Sequence, residues 1–454
     1  MMHSLDASRV PPEVITLCRR LQSAGFEAFV VGGSVRDMLL GRPVSDWDVA
    51  TAAPPQRVRQ IFSRTIPTGL QHGTVTVLLG SETIEVTTFR GEGAYTDGRH
   101  PDHVEFVTDL GRDLERRDFT INAIAFDPVS GALHDPLDGR GDLARRHVRA
   151  VGAARERFDE DGLRSLRAVR FASVLNFEIE ERTLAAIPET LSRFRLVSAE
   201  RVRVELLKLL DGSKVPSRGI ELLRRTELLG EILPELLPCV GLKQNAHHSD
   251  DVWTHTLKVV DGVPSQGMLR LAALLHDVGK PLTVAPRRDD PTQNTFYRHD
   301  RKGAAICDQV AQRLVLSKRQ RVDVCHLVRH HLFALNAGIS DAGVRRFVRR
   351  VGVDSLDDLF ELRRADVVCR PDGVAKVAAL AAFRSRVDAV LREPPLRSVR
   401  DLAVDGEMLK HHLERPAGPW LGELLRGLLE RVIEEPALND RARLLAIARE
   451  LQEE

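Results

Sequence analysis

GGSVRDMLLG (32–41) is the stretch that decides the fold of the first part of the chain. It follows EAFVV (27–31), which is predicted to be a short buried strand, and it reads as a glycine turn that opens a helix. Two residues without a Cβ atom let the backbone approach a phosphate, and free N–H groups at a helix start favour an anion. Gly32 and Gly33 are therefore candidate phosphate-binding residues, and Arg36 could reach the same phosphates. A tight turn with a surface arginine is the alternative.

Two aspartates follow this turn in DWDVAT (46–51), which is predicted to be a second strand. Alternate residues of a strand point to the same side, so Asp46 and Asp48 are expected to share a face. Two neighbouring carboxylates repel each other unless a cation lies between them, and Mg²⁺ with substrate phosphates suits such a pair. Glu85, in TIEVTTF (83–89), is a candidate third ligand. A solvated strand end and an ordinary exposed glutamate are the alternatives.

Two later segments carry groups that suit nucleotide contacts. ERRDFTINAIAFD (115–127) places four such side chains together at a predicted helix start: Arg116, Arg117, Asp118 and Asn122. FDEDGLRSLRAVRF (158–171) is predicted to be a helix that carries an aspartate and three arginines: Asp161, Arg164, Arg167 and Arg170. An aspartate beside an arginine offers an acceptor and donors to the edge of a base. Taken alone, a basic helix face with internal ion pairs is the better interpretation.

Composition limits the classes of protein that remain. The chain has 454 residues, of which 43% are hydrophobic, so a largely disordered chain is excluded. Its 66 Lys and Arg balance 65 Asp and Glu, so any nucleic-acid site must be a local patch. Five scattered cysteines without a CxxC pair argue against a disulfide framework or a thiolate zinc site. No signal core or membrane-spanning run is present in the sequence, so we expect a cytoplasmic, soluble protein without a membrane partner.

The pattern along the chain predicts an α/β domain followed by a long helical body. A helix is expected over residues 13–24, and TVTVLL (74–79) forms a predicted hairpin with the strand over 83–89. A polar, Gly-rich loop is expected over 91–103, and β signals fade from about residue 113. Domain boundaries are expected near residues 145, 245 and 371.

A second set of residues suits a transition metal. LRLAALLHDVGKP (269–281) carries His276 and Asp277 on an apolar helix, and imidazole with carboxylate suits Mn²⁺, Fe, Ni²⁺ or Zn²⁺. With His255 before it and Asp366 after it, this segment resembles the HD phosphohydrolases. That resemblance implies these four residues as metal ligands. His299 and the pair His330–His331 fall where two-metal HD proteins have extra ligands, and we name His299 and His330 as candidates.

The order of motifs along the first half resembles the bacterial class II tRNA nucleotidyltransferases, the CCA-adding enzymes of the DNA polymerase beta-like superfamily. The resemblance covers about residues 26–210, and DGEML (405–409) and PALND (436–440) resemble the family's tail. It rests on the following segments in sequence: GGSVRDMLLG, SDWDVATAAPP, TGLQHGTVTV, RRDFTINAIAFD, EDGLRSLRAVRFA and SAERVRVELLKLL.

The resemblance implies a role for each matching residue. Asp46 and Asp48 would bind catalytic Mg²⁺, and Gly32, Gly33 and Arg36 would hold the triphosphate. Arg117, Asp118 and Asn122 match the segment that recognises the ribose. Asp161 and Arg164 match the amino-acid template that pairs with the incoming C or A, and Arg167 and Arg170 continue its helix. The segment 200–205 would support that helix. The implied partners are the tRNA 3′ end, CTP and ATP, and no protein partner is evident.

The implied architecture is α+β: a polymerase beta-like α/β head followed by an all-helical neck, an HD domain and a tail. We expect a nucleotidyltransferase head over 1–145, a neck with the template helix over 146–245, an HD domain over 246–370, and a tRNA-binding tail over 371–454. An HD domain of this family either hydrolyses phosphate esters or is retained for structure.

Five other functions are weighed against this one. Bacterial poly(A) polymerases share the head but carry a basic stretch where this chain reads IPTGLQHGTVTV (66–77). A CC-adding enzyme has a shortened loop, whereas residues 90–105 look full length, with Tyr95, Asp97 and Arg99 in place. An A-adding enzyme is not excluded. An HD phosphohydrolase with an RNA-binding head, and a non-enzymatic RNA-annealing protein, are both disfavoured by the two head carboxylates.

Overall fold

The computed structural model describes residues 5, 7–70, 73–91, 105–245, 250–334, 338–394, 396 and 398–453. These residues divide into two compact units, Met1–Pro234 and Glu235–Glu454. The polar segment predicted to be a loop over 91–103, including Tyr95, Asp97 and Arg99, lies almost wholly outside the described residues.

The first unit is built on a seven-stranded sheet. Its strands lie in the order β3-β4-β5-β2-β1-β6-β7, and among them only β2 and β5 are paired in parallel. Their bounds are β1 (Ala28–Val31), β2 (Trp47–Thr51), β3 (Thr65–Gly69), β4 (Thr74–Leu79), β5 (Glu82–Thr88), β6 (Ala125–Phe126) and β7 (Leu133–His134). A separate parallel pair consists of β8 (His147–Val148) and β9 (Glu178–Ile179).

Helices cover the sheet and then form the neck. Their bounds are α1 (Pro12–Ser23), α2 (Gly33–Leu39), α3 (Pro55–Ile61), α4 (Leu110–Glu115), α5 (Gly139–Arg145), α6 (Ala154–Glu160), α7 (Leu163–Leu175), α8 (Glu181–Glu189), α9 (Leu191–Phe194), α10 (Ala199–Gly212), α11 (Pro216–Arg225) and α12 (Leu228–Ile232). A 3₁₀ turn spans Thr120–Asn122.

The strand β1, which leads into the glycine turn, is buried on both faces. All four of its residues are buried: α1 contacts β1, β2 and β5, while Phe29 and Val31 join an apolar cluster on the other face. The predicted strands and the hairpin are present within a residue or two. Three strands of this sheet were not predicted: β3, which is exposed along most of its length, and β6 and β7, which are only two residues long. Asp46 lies just before β2, not within it.

The neck is organised around α7, which packs against α10 and α11. Nine residues of this helix are buried, mainly apolar ones such as Leu166, Val169 and Phe171, so its three arginines are confined to the other side. The predicted nucleotide-binding arginines therefore project from a helix whose position is fixed by its apolar face.

The second unit is predominantly helical, as predicted. Its helices are α13 (Val252–Gly262), α14 (Gly267–Leu275), α15 (His299–Arg313), α16 (Lys318–His330), α17 (Asp341–Val351), α18 (Leu356–Val368), α19 (Gly373–Leu391), α20 (Gly406–His412), α21 (Pro419–Glu434) and α22 (Arg441–Glu453). A small hairpin joins β10 (Ala285–Pro286) to β11 (Asn294–Thr295).

Two regions of this unit have separate cores. The helices α13, α14, α16 and α18 pack together around the predicted metal ligands. Residues of α20, α21 and α22 form an apolar cluster of their own, which includes Leu409, Leu428 and Leu444. No helix among the described residues is both long enough and apolar enough to cross a membrane.

Candidate active site and metal centre

The glycine turn connects β1 to α2, as predicted. Gly32 has a φ of 76°, a left-handed conformation that favours glycine. A Cβ atom at Gly32 would lie 3.2 Å from Nη1 of Arg117 and 3.8 Å from Oδ2 of Asp48. The turn therefore brings the backbone close to a predicted nucleotide-binding arginine and a predicted metal ligand, and the positive φ makes any residue other than glycine strained there.

The predicted carboxylates gather beside this turn. Asp48 and Glu85 are direct partners in the register of β2 and β5, so their side chains share one face of the sheet. Asp46 precedes β2 and is exposed. In the described part of the chain, these three carboxylates do not form a group whose ligand oxygens all lie within 4.8 Å of one another. One ion held by all three would therefore draw the side chains closer.

Electrostatics at Asp48 favours a cation. Burial raises the pKa of Asp48, the charges of Glu85 and Asp46 raise it further, and Arg117 acts in the opposite direction. Carboxylate oxygens are the donors that Mg²⁺ prefers, and a cation at this position would relieve the repulsion among them. The donor set therefore fits Mg²⁺.

Four predicted nucleotide-binding residues form one hydrogen-bonded chain. Nη1 of Arg36 donates to Oδ1 of Asn122 at 2.7 Å, and Nδ2 of Asn122 donates to Oδ1 of Asp118 at 3.0 Å. The other oxygen of Asp118 accepts from Nε of Arg167 at 2.8 Å. Burial opposes ionisation of Asp118, but Arg167 and Asn122 outweigh it, so its pKa is lowered. These hydrogen bonds connect α2, the 3₁₀ turn and α7.

The two predicted template residues have separate partners in this structure. Asp161 accepts a bidentate pair of hydrogen bonds from Arg201 at 3.1 and 2.6 Å. Arg164 donates to Glu160 at 2.5 Å and to the backbone oxygens of Arg157 and Arg116. They do not pair with each other, so a base edge would compete with these intramolecular contacts.

Helix α10 supports α7 through its acidic and basic side chains. The buried Glu205 accepts from Nε of Arg170 at 2.5 Å and lies 3.6 Å from Nη1 of Arg167. The guanidinium of Arg170 also lies 3.9 Å from the ring centre of Phe171. Together with the contact between Arg201 and Asp161, these pairs hold the polar face of α7.

In the second unit, one aspartate lies at the centre of the predicted metal ligands. Asp277 is 3.1 Å from Nε2 of His276, 3.8 Å from Nε2 of His255 and 3.2 Å from Nε2 of His299. Two overlapping groups, His255–His276–Asp277 and Asp277–His299–His331, each have ligand atoms within 4.8 Å of one another. All five residues are buried, so this donor set is arranged to bind one or two cations.

The histidines are oriented by backbone carbonyls. Nδ1 of His276, His299 and His331 contacts the backbone oxygens of Ala273, Phe296 and Val328, respectively, at 2.7, 2.7 and 2.8 Å. The Nε2 atoms of these three histidines are buried and, among the described residues, have no partner with hydrogen-bond geometry. Burial lowers the pKa of His331 to about 3, which keeps its imidazole neutral, the form that binds a metal.

His331, not His330, joins this cluster, which corrects the sequence-based choice between the two. His330 ends α16 and its ring lies 4.5 Å from that of His326. Adjacent residues at a helix end point about 100° apart, so only one of the pair can face Asp277.

Oδ1 of Asp366 lies 3.1 Å from Nε2 of His255, but the carboxylate also accepts from Arg363 and Arg370 at 2.6 to 2.8 Å.

A cavity of about 760 Å³ opens above the cluster. Asp277 and His299 contribute to its lining, as do Lys280, Arg288 and Arg370. Lys280 also donates to Oδ2 of Asp277 at 2.6 Å. Cations beside a metal cluster suit an anionic ligand such as a phosphate ester. The sequence interpretation did not include Lys280, although it lies in the same HDVGK segment.

The fold and these two sites define the chain as a nucleotidyltransferase that also carries an HD domain. Family comparisons agree: the Poly A polymerase head domain matches residues 28–149, and the RNA and SrmB-binding site of polymerase A matches 176–239. The HD domain matches 245–370, and tRNA nucleotidyltransferase domain 2 matches 371–448.

The chain belongs to the family of bacterial CCA-adding enzymes. It is 34% identical to the CCA-adding enzyme of Pediococcus pentosaceus over 96% of this chain and 97% of that one. It is 32% identical to that of Staphylococcus aureus over 94% and 95%. Identity to the Lactobacillus delbrueckii enzyme is 50%, but the match spans about half of that relative, 52%. The Bacillus stearothermophilus CCA-adding enzyme, solved with CTP, has a TM-score of 0.73 and 29% identity over 98% of both chains.

Proposed function

We propose that this chain adds C, C and A to the 3′ end of tRNA, using CTP and ATP as substrates. One observation carries the proposal. Asp48, which is paired with Glu85 in the sheet, lies beside the Gly32 turn together with Arg117. The reaction joins the 3′-hydroxyl of tRNA to the α-phosphate of the nucleotide, and pyrophosphate leaves. Incubation with tRNA that lacks CCA, followed by sequencing of the products, tests the proposal.

Each residue at the head site has a proposed task. Asp46 and Asp48 hold Mg²⁺, and Glu85 is the proposed third carboxylate. Mg²⁺ bound there supplies charge stabilisation for the triphosphate and lowers the pKa of the attacking hydroxyl. The free backbone at Gly32 and Gly33 accommodates the phosphates, and Arg36 and Arg117 orient them. Asp118 and Asn122 contact the ribose.

We propose that Asp161, two residues before α7, and Arg164, in its first turn, select the base. Their present partners, Arg201 and Glu160, lie within the same unit and keep both side chains ordered. A base edge offers donors and acceptors that replace these partners one for one. The support from Glu205 keeps Arg167 and Arg170 in place beside the template pair. An enzyme that adds only A is the alternative, and the same residues would then accept only ATP.

Replacing Asp161 or Arg164 by alanine is expected to impair the choice of base more than binding of the triphosphate. Contacts to a base edge supply about 1–3 kcal/mol of discrimination, so the preference for CTP and ATP over UTP and GTP should fall by roughly 10- to 100-fold. Competition assays with pairs of labelled nucleotides measure this preference. Arg155→Ala, on the exposed side of α6, is the control. A uniform loss of rate with an unchanged preference contradicts the template role.

A second activity is proposed for the HD domain: metal-dependent hydrolysis of a phosphate ester. The supporting observation is that three buried histidines direct unpartnered Nε2 atoms toward Asp277, below a cavity that contains cationic side chains. Four imidazoles with carboxylates suit Mn²⁺, Fe, Ni²⁺ or Zn²⁺. We propose His255, His276, Asp277 and Asp366 as ligands of one ion, and Asp277, His299 and His331 as ligands of a second.

The proposed domain division is a head over 1–145, a neck over 146–245, an HD domain over 246–370 and a tail over 371–454. The family matches support it, because their bounds fall near these positions. The tail is proposed to bind tRNA. The reaction is proposed to take place in the cytoplasm, where the tRNA substrate is found.

A further inference from the structure

Asp113, on α4, is a fully buried carboxylate that holds two consecutive arginines. Its Oδ1 accepts from Nη2 and Nε of Arg116 at 2.6 and 3.0 Å and from the backbone nitrogen of Arg90 at 3.2 Å. Its Oδ2 accepts from Nη2 of Arg117 at 3.1 Å. Burial alone would raise the pKa of Asp113, but Arg117 and Arg116 lower it below its ordinary value. The residue is therefore ionised at neutral pH.

This carboxylate holds one edge of the Arg117 guanidinium and leaves the other edge facing the head site. Nη1 of Arg117 lies 3.5 Å from the backbone oxygen of Asn122 and 3.2 Å from the position of a Cβ on Gly32. The charge of Arg117 also acts on Asp48. One nitrogen thus points toward the glycine turn because the opposite nitrogen is fixed by Asp113.

We propose that Asp113 is a positioning residue for nucleoside triphosphates, acting through Arg117; this inference rests on the proposed function of the head. An arginine side chain has many rotamers, and ordering it at the moment of binding costs conformational entropy. An ion pair with a buried carboxylate fixes the guanidinium before the nucleotide arrives. Asp113 itself does not touch the nucleotide, so its effect should depend on the presence of Arg117.

Asp142 offers a matched comparison in the same unit. It is also buried, and it accepts from Thr120 at 2.6 Å, Arg145 at 2.7 Å and Arg149 at 2.8 Å. Neither arginine is among the residues proposed to contact the nucleotide. Loss of the Asp142 charge is therefore expected to affect stability without a direct effect on nucleotide binding.

Asp113→Asn keeps the size of the side chain but removes its charge. We expect the dissociation constants of Mg²⁺–CTP and Mg²⁺–ATP, measured by calorimetry on the full chain, to rise about tenfold, as for loss of one hydrogen bond between charged groups. The KM for both nucleotides should rise by a similar factor, and kcat should change less. Asp142→Asn should leave both constants within about twofold of wild type, a range smaller than one such hydrogen bond.

A double-mutant cycle separates positioning from general destabilisation. In an Arg117→Ala background, Asp113→Asn should change the dissociation constants by less than about twofold, since the residue through which it acts is gone. The proposal is overturned if Asp113→Asn changes the dissociation constants equally in both backgrounds. It is also overturned if Asp142→Asn changes them as much as Asp113→Asn does. If Asp113→Asn does not fold, Asp113→Glu retains the charge but displaces the carboxylate; unchanged binding in that folded variant also overturns it.

The same measurements distinguish failure of this inference from failure of the proposed function. A wild-type chain that binds both nucleotides but adds neither to tRNA contradicts the proposed function, while the binding cycle still tests Asp113. Normal addition by wild type together with an unchanged KM in the Asp113 variants contradicts the positioning role alone. Absence of any nucleotide binding by the folded wild-type chain contradicts both.

Discussion

Asp48→Ala and Asp46→Ala are each expected to abolish nucleotide addition, with a loss of roughly 10³-fold or more. Mg²⁺ at these carboxylates supplies several kcal/mol of charge stabilisation, and each 1.36 kcal/mol corresponds to a factor of ten in rate. Addition of labelled CTP to tRNA lacking CCA, under single-turnover conditions, measures the loss. Glu82→Gln is the matched control, because Glu82 lies on β5 three residues before Glu85, and so on the other face of the strand.

Stability provides a separate measurement for the same variants. Because Asp46 and Glu85 repel Asp48, removing its charge should leave the metal-free chain at least as stable as wild type. Mg²⁺ should raise the melting temperature of wild type through binding at this site, and should raise that of Asp48→Ala less. Near-normal incorporation by either alanine variant contradicts the metal-ligand assignment.

Replacing His276 and Asp277 together by alanine is expected to remove the hydrolytic activity of the HD domain, a loss of about 10²-fold or more. Asp277 belongs to both proposed metal groups, so no complete group remains. Hydrolysis of a chromogenic phosphodiester with Mn²⁺, Ni²⁺ or Co²⁺ measures this effect. CCA addition should stay within a few-fold of wild type, because the head has its own carboxylates. Survival of hydrolysis in the double variant contradicts the HD assignment.

The neighbouring histidines give this prediction a matched pair of variants. His331→Ala removes a proposed ligand, whereas His330→Ala removes a ring that packs on His326 outside the cluster. Only the first should reduce hydrolysis strongly. Metal can also contribute folding energy, so the melting temperature is measured on the same preparations. If nucleotide addition collapses in a folded His276/Asp277 variant, the two sites are coupled and the modular account is wrong.

The sequence was sufficient for features in which local pattern and chemistry coincide. The glycine turn was predicted from two glycines that follow a buried strand, and the structure gives Gly32 a positive φ, which favours glycine. The two head aspartates were identified by their spacing and by their distance from the turn. The register that makes Glu85 the partner of Asp48 could not be read from the sequence, because pairing of distant strands depends on the whole sheet.

Other features depend on tertiary packing and escaped prediction. β6 has only two residues, too few for a periodic pattern, yet it pairs with the buried strand β1. The choice between His330 and His331 depends on the rotation of α16 at its last turn. Asp113 precedes Arg116 and Arg117 by three and four residues, a helical spacing that would have indicated the ion pairs. That Arg117 connects Asp113 to the Gly32 turn could be known only from the folded structure.

The most direct test of the central claim is the sequence of the 3′ end that the chain builds. Purified protein with Mg²⁺, CTP and ATP is incubated separately with tRNA that lacks CCA, tRNA that ends in C and tRNA that ends in CC, and the products are sequenced. The account predicts that every substrate is completed to CCA and then extended no further. Addition of A only to the tRNA ending in CC, growth of a poly(A) tail, or no addition to any substrate would contradict it.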